Sequence, residues 1–106
     1  MEDRSRYLSI PLNKKGIEDL EYGVEESNNI KVIMLGDSEF EELYKENGIF
    51  DIINEECNLL IDDFESERIP KEKIQYCLNI VDDKYTKFKE ALNLAKEYNT
   101  FVDLDF

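Results

Sequence analysis

The chain has 106 residues, 26 Asp and Glu against 13 Lys and Arg, and no histidine, for a net charge of −13. Such a surface repels phosphate backbones and anionic leaflets, which excludes direct binding to nucleic acid and docking on an acidic membrane. An apolar fraction of 42%, with six Phe and six Tyr, supplies a core for a single domain spanning residues 1–106.

Residues Tyr7 to Leu12 alternate in part and predict a first strand, which Pro11 places at a sheet edge or ends. Ile17, Leu20 and Val24 recur at helical spacing, so a short amphipathic helix is expected over 15–27, weakened at Gly23 and ended by Asn28-Asn29. Ile30 to Leu35 is β-branched and apolar, the clearest strand in the chain. Ser38 with Glu41 three residues on has the pattern of a capping box, and Phe40, Leu43 and Tyr44 supply the inward face of the helix that follows. Gly48 is its expected C-cap. A further helical piece turns Phe50, Ile53 and Cys57 inward and leads to a strand at 59–64. Pro70 suits the first turn of the next helix.

From Ile74 the apolar positions 74, 78, 81, 85, 88, 92 and 95 keep an unbroken 4-3 alternation. One helix over 71–98 would be roughly 40 Å long, more than the about 35 Å span of a domain this size. A break is therefore expected near Asp82-Asp83, both poor helix formers; a coiled-coil dimer is the competing reading. Phe101 to Phe106 alternates strictly as a closing strand. The element order predicts an α+β (or α/β) domain with a mixed sheet of about four short strands.

The charge is concentrated. Between Gly16 and Glu67 stand 17 acidic residues and only two basic ones, Lys31 and Lys45, whereas residues 68–106 hold seven of each sign. Solubility alone does not require this. A single-sign region speeds encounter with a positive partner and discriminates against others.

The absence of histidine removes Ser-His and Cys-His nucleophilic pairs, and the four glycines form no phosphate-binding fingerprint. Paired carboxylates could serve a glycosidase, but with 26 acids such pairs carry no specificity, so no enzymatic activity is expected. Cys57 and Cys77 have neither CxxC nor zinc spacing and read as small core thiols of a reducing compartment. The amino terminus lacks an apolar run and no stretch is long enough to span a bilayer, so a cytoplasmic protein is expected.

The candidate site is the acidic run Asp62, Asp63, Glu65 and Glu67 ahead of Pro70, with Glu55 and Glu56 beside it and Tyr44, Phe64 and Tyr76 as aromatic anchors. Fixed acids of this kind could occupy the cationic cleft of a nuclease. They could instead offer oxygen ligands to Ca²⁺ or Mg²⁺, although the run lacks the glycine and distal Glu of an EF-hand loop, and no cofactor is expected. The segments Phe40-Glu-Glu-Leu-Tyr-Lys-Glu-Asn-Gly-Ile-Phe-Asp-Ile-Ile-Asn-Glu and Ile61-Asp-Asp-Phe-Glu-Ser-Glu-Arg-Ile-Pro resemble bacterial immunity proteins, the cytosolic inhibitors of polymorphic and contact-dependent growth inhibition toxins. The resemblance covers about residues 37–81. It implies an antitoxin in a one-to-one complex with a cognate toxin domain and without enzymatic activity; the acidic surface adds the expectation that this domain is basic, with a nuclease as the expected activity, and that its active site or substrate surface is masked. An acidic nucleic-acid mimic and a small metal-binding module are the alternatives.

Overall fold

The computed structural model describes residues 6–23, 27–45, 48–57, 59 and 67–105. Four strands, β1 (Arg6–Pro11), β2 (Ile30–Leu35), β3 (Glu67–Ile69) and β4 (Val102–Asp105), form one sheet in the order β2-β1-β4-β3. Among the described residues five helices accompany them: α1 (Lys14–Glu21), α2 (Asp37–Tyr44), α3 (Ile49–Cys57), α4 (Lys71–Ile80) and α5 (Thr86–Glu97). This is the expected α+β class, with one difference. Each pairing among the described strands is antiparallel, so the sheet is not mixed.

Pro11 ends β1, as one of the two expectations has it, and does not place it at an edge: β1 is central. The proline pairs only with Ile30 of β2 and lies beyond Tyr7, Leu8 and Ser9, the three residues that pair with β4. Its missing N–H therefore costs no bond on the β4 side. Leu8, Ile10, Ile33, Leu35, Val102 and Leu104 alternate onto one sheet face and are buried. Phe88, Ala91, Leu92 and Ala95 of α5 lie in the same core, where the two alanines let the helix approach the sheet closely.

The first helix is shorter than its apolar spacing suggests. α1 stops at Glu21, and Gly23 follows with a left-handed φ of 71°. Its buried positions are Gly16 and Asp19, while Ile17 and Leu20 are half-buried. A Cβ on Gly16 would stand 2.2 Å from the Asn29 carbonyl oxygen, so only glycine lets α1 pass that loop. Asp19 accepts from Ser27 Oγ at 2.6 Å and faces Lys15 Nζ at 3.5 Å. The Ser27 bond, aided by Lys15, holds its carboxyl below the usual carboxylate range.

Four local expectations in the middle of the chain are corrected. Gly36, not Ser38, is the N-cap of α2, and no side chain caps that end. Ser38 lies inside the first turn, which Asp37 and Glu39 stabilise by charge instead. Tyr44 is 39% exposed, stacked on Phe40 at 5.1 Å rather than inserted in the core. Lys45, not Gly48, caps the C-terminus of α2. The strand expected at 59–64 falls largely outside the described residues, and the described third strand is Glu67–Ile69, three residues later than that segment. Pro70 is the N-cap of α4, one residue before the first turn.

The break in the 71–98 segment is where the sequence places it. α4 ends at Ile80 and α5 begins at Thr86, with Val81 in extended backbone (φ −86°, ψ 123°). The molecule measures 36 × 34 × 23 Å, so an unbroken 28-residue helix would overrun it. The 4-3 apolar alternation is used twice, by two helices that fold back on one another, and this overturns the straight coiled coil. Lys89 secures the corner, donating to the Val81 carbonyl at 3.2 Å and pairing with Asp83 at 2.6 Å.

No side chain near its own N-cap satisfies the start of α5. Glu39 of α2 does so across 49 residues, its carboxylate accepting from the Phe88 N–H at 2.8 Å and, more weakly, from Lys87 at 3.4 Å. Glu39→Ala should therefore cost about 1–2 kcal/mol in a urea unfolding curve, the range for a lost helix cap. Glu39→Gln, which keeps an acceptor oxygen, should cost less.

Candidate partner-binding face

α3 builds the described part of the acidic site. Phe50, Ile53 and Cys57 recur at positions i, i+3 and i+7 and are buried, which turns the opposite face outward. Glu55 and Glu56 stand in the last turn of that outward face, both exposed. No basic residue shares the turn. The helix dipole is negative there, so two carboxylates at this end weaken the helix that carries them. Glu55→Gln and Glu56→Gln should each raise stability, by about 0.5 kcal/mol.

Tyr76 of α4 lies against this end of α3. Burial, then the negative charge of Glu56, the thiols of Cys57 and Cys77, and the charge of Glu55 push its phenol above the ordinary tyrosine range. The structure thus brings together three residues that the sequence singles out separately: Glu55, Glu56 and Tyr76. Ile52 completes the group, 39% exposed and three and four residues before the two glutamates on the same helix face. Sequence reasoning passes over Ile52. The available signal was its place off the 50-53-57 buried stripe.

Of the remaining predicted residues, Asp62, Asp63, Phe64 and Glu65 lie outside the described residues. Glu67 belongs to β3 rather than to an acidic loop. It is half-buried opposite Leu104, and its carboxylate accepts from the Arg68 N–H at 3.0 Å. Asp103, opposite Arg68 in the register, faces its guanidinium at 3.6 Å, yet burial outweighs that pairing and raises its pKa. Arg68 also lies 3.9 Å from the centre of the Phe101 ring, which draws this cation into the fold. The described acids of the predicted site therefore differ in setting: Glu55 and Glu56 face solvent, and Glu67 is bound into the sheet.

Cys57 and Cys77 are free, buried and adjacent. Burial, with Cys57 beside it, pushes the Cys77 thiol up to about 12, so it is a structural thiol and not a nucleophile. A raised folded pKa gives stability that is complete below the unfolded thiol value and is lost as pH rises through the folded one. Between about pH 8 and about pH 10.5 the wild type should lose more stability than Cys77→Ala does, read as the shift in urea midpoint.

Among the described residues no group of three or more acidic or thiol side chains is gathered to hold a metal ion, and no helix is long and apolar enough to cross a membrane. An open groove of about 470 Å³ runs along α5, lined by Asp83, Lys89, Glu90, Leu94 and Glu97. It shares no residue with the predicted site, and Lys89 within it is already committed to Val81 and Asp83. No family model matches the chain, and no curated protein or solved structure matches it.

Proposed function

We propose that this protein is a cytoplasmic inhibitor of the immunity type, binding one basic protein partner through the α3–α4 face and masking that partner's functional cationic surface. A single observation carries the reading. Glu55 and Glu56 are exposed at the helix end where charge of their sign costs stability, beside the half-buried ring of Tyr76 and the exposed Ile52. Residues that work against the fold are the ones to assign to function. An aromatic and an aliphatic side chain flanking two carboxylates also supply what a hot spot for a Lys or Arg needs: packing area and a desolvated counter-charge.

The neighbouring acids Asp62, Asp63 and Glu65, with Phe64, extend the same reading by their place in the sequence, directly after α3. A toxin nuclease is the favoured partner, because its substrate cleft must be cationic to hold phosphates. No catalytic step is assigned to this chain.

The test is capture of partners on the immobilised full chain, washed in steps of rising salt, followed by assay of whatever is retained. The reading predicts one stoichiometric basic protein that survives high salt and whose activity falls as the chain is added back. Several basic proteins, all released by moderate salt and all displaced by DNA or RNA, would instead identify a nucleic-acid mimic.

A further inference from the structure

Among the described residues there are two arginines, and the fold holds both against a ring and a carboxylate. The Arg6 guanidinium lies 3.8 Å from the centre of the Phe40 ring and donates to Asp37 at 3.0 Å. The Arg68 guanidinium lies 3.9 Å from the centre of the Phe101 ring, with Asp103 at 3.6 Å. A planar cation can do this because its face stacks while its edge donates. The described lysines divide the two contacts. Lys15, Lys45 and Lys89 pair with carboxylates, and Lys84 lies over the Tyr85 ring at the longer distance of 5.1 Å.

Tyr76 with Glu56 and Glu55 repeats the ring and the carboxylates without the cation. The ring is half-buried on α4 and packs against the core, and both glutamates are exposed in the last turn of α3. Their negative charge reaches the Tyr76 phenol, that of Glu56 the more strongly. Neither glutamate has a cation paired to it among the described residues. Ile52, one turn before Glu56, adds exposed apolar surface beside them.

We propose that the α3–α4 face takes an arginine side chain of the partner in preference to a lysine, its guanidinium on the Tyr76 ring, its edge toward Glu56 and Glu55, and its aliphatic stem along Ile52. The inference rests on that face being the contact, and adds the chemistry of the residue received there. An ammonium is drawn by the same carboxylates, but it is compact and strongly hydrated and gains less from the ring. The partner's cationic surface therefore carries an exposed arginine at its centre.

The probes are two end-blocked peptides, one with a single arginine between glycines and one with a single lysine, titrated into the isotope-labelled full chain. Equal charge makes long-range attraction the same for both, so the ratio of their Kd values isolates the ring and the stem. The arginine peptide should bind about two- to fivefold more tightly, the range for an exposed cation–π contact. Its δ-methylene protons should cross-relax with the Tyr76 ring. Tyr76→Phe keeps the ring and should keep the preference, whereas Tyr76→Leu should abolish it. Equal binding of the two peptides to the wild type overturns the proposal, whether or not Tyr76→Leu folds. So do arginine contacts centred on the exposed Tyr22 or Tyr98. Hydrogen exchange with the captured partner separates the two claims. Protection of α3 and α4 with equal peptide binding keeps the interface and removes the arginine, and protection elsewhere removes the interface itself.

Discussion

Phe88→Ala should remove about 3–5 kcal/mol of stability, the cost of deleting a buried aromatic ring and leaving a cavity that the surroundings only partly fill. Phe88 has no exposed surface and stands in the first turn of α5, just past the corner. Its ring meets Phe50 edge to face at 5.5 Å, and Phe50 meets Phe40 at 6.1 Å. Phe40 is covered by the Arg6 guanidinium, 3.8 Å from its centre, which also donates to Asp37 at 3.0 Å. This chain of rings ties α2, α3 and α5 to the first strand. A domain this small holds about 5–15 kcal/mol in total, so losing the ring removes roughly a third to a half of a mid-range stability. Urea unfolding followed by circular dichroism measures it, with Tyr22→Ala as the control because Tyr22 is exposed. A loss under about 1 kcal/mol for Phe88→Ala would mean that the rings do not form one core.

The second large effect is on binding. Reversing both Glu55 and Glu56 to lysine should weaken the complex with the captured partner by about 2 kcal/mol or more, roughly 30-fold, the scale for breaking a desolvated charge pair. The control is Glu90→Lys with Glu97→Lys on α5, which changes net charge by the same amount on a different helix. If charge acts only by long-range steering, both double variants lose affinity alike, chiefly through slower association at low salt. If the α3 end is the contact, only the first loses affinity, chiefly through faster dissociation, and the loss survives higher salt. The α3 variant should also be the more stable protein, because lysine at a helix C-terminus is favoured where glutamate is not. Lower affinity combined with higher stability separates a binding residue from a structural one.

Much of this fold is legible in the sequence because its signals are local and periodic. The stripe of Phe50, Ile53 and Cys57 and the alternation from Ile74 to Ala95 report burial at helical spacing, and all of those positions are buried or half-buried. The corner at 81–85 follows from a length that the domain cannot contain. What the sequence hides is non-local. Glu39 looks like one more acid in a first turn, and only the packing of α2 beside α5 makes it the cap of a helix 49 residues away. Pro11 signals an edge or a strand end, and the sequence does not say which: it ends β1, which is central because β4 pairs only with the residues before the proline. Tyr44 has the spacing of a core residue, but its ring stacks over Phe40 at the surface. The capping pattern at Ser38 is overridden by an earlier helix start at Asp37. For the candidate site, the acids and Tyr76 are visible as residue types. That Tyr76 lies beside Glu55 and Glu56 rests on the α3–α4 packing, which no spacing encodes.

The central claim is that a basic partner sits on the end of α3 and the adjoining face of α4. Amide hydrogen exchange of the full chain, alone and in complex with the captured partner, tests it most directly. The account predicts slowed exchange concentrated in residues 52–57 of α3 and 72–80 of α4, with the outer face of α5 unchanged. Protection confined to α5 or α1, with α3 and α4 exchanging as in the free protein, would contradict it.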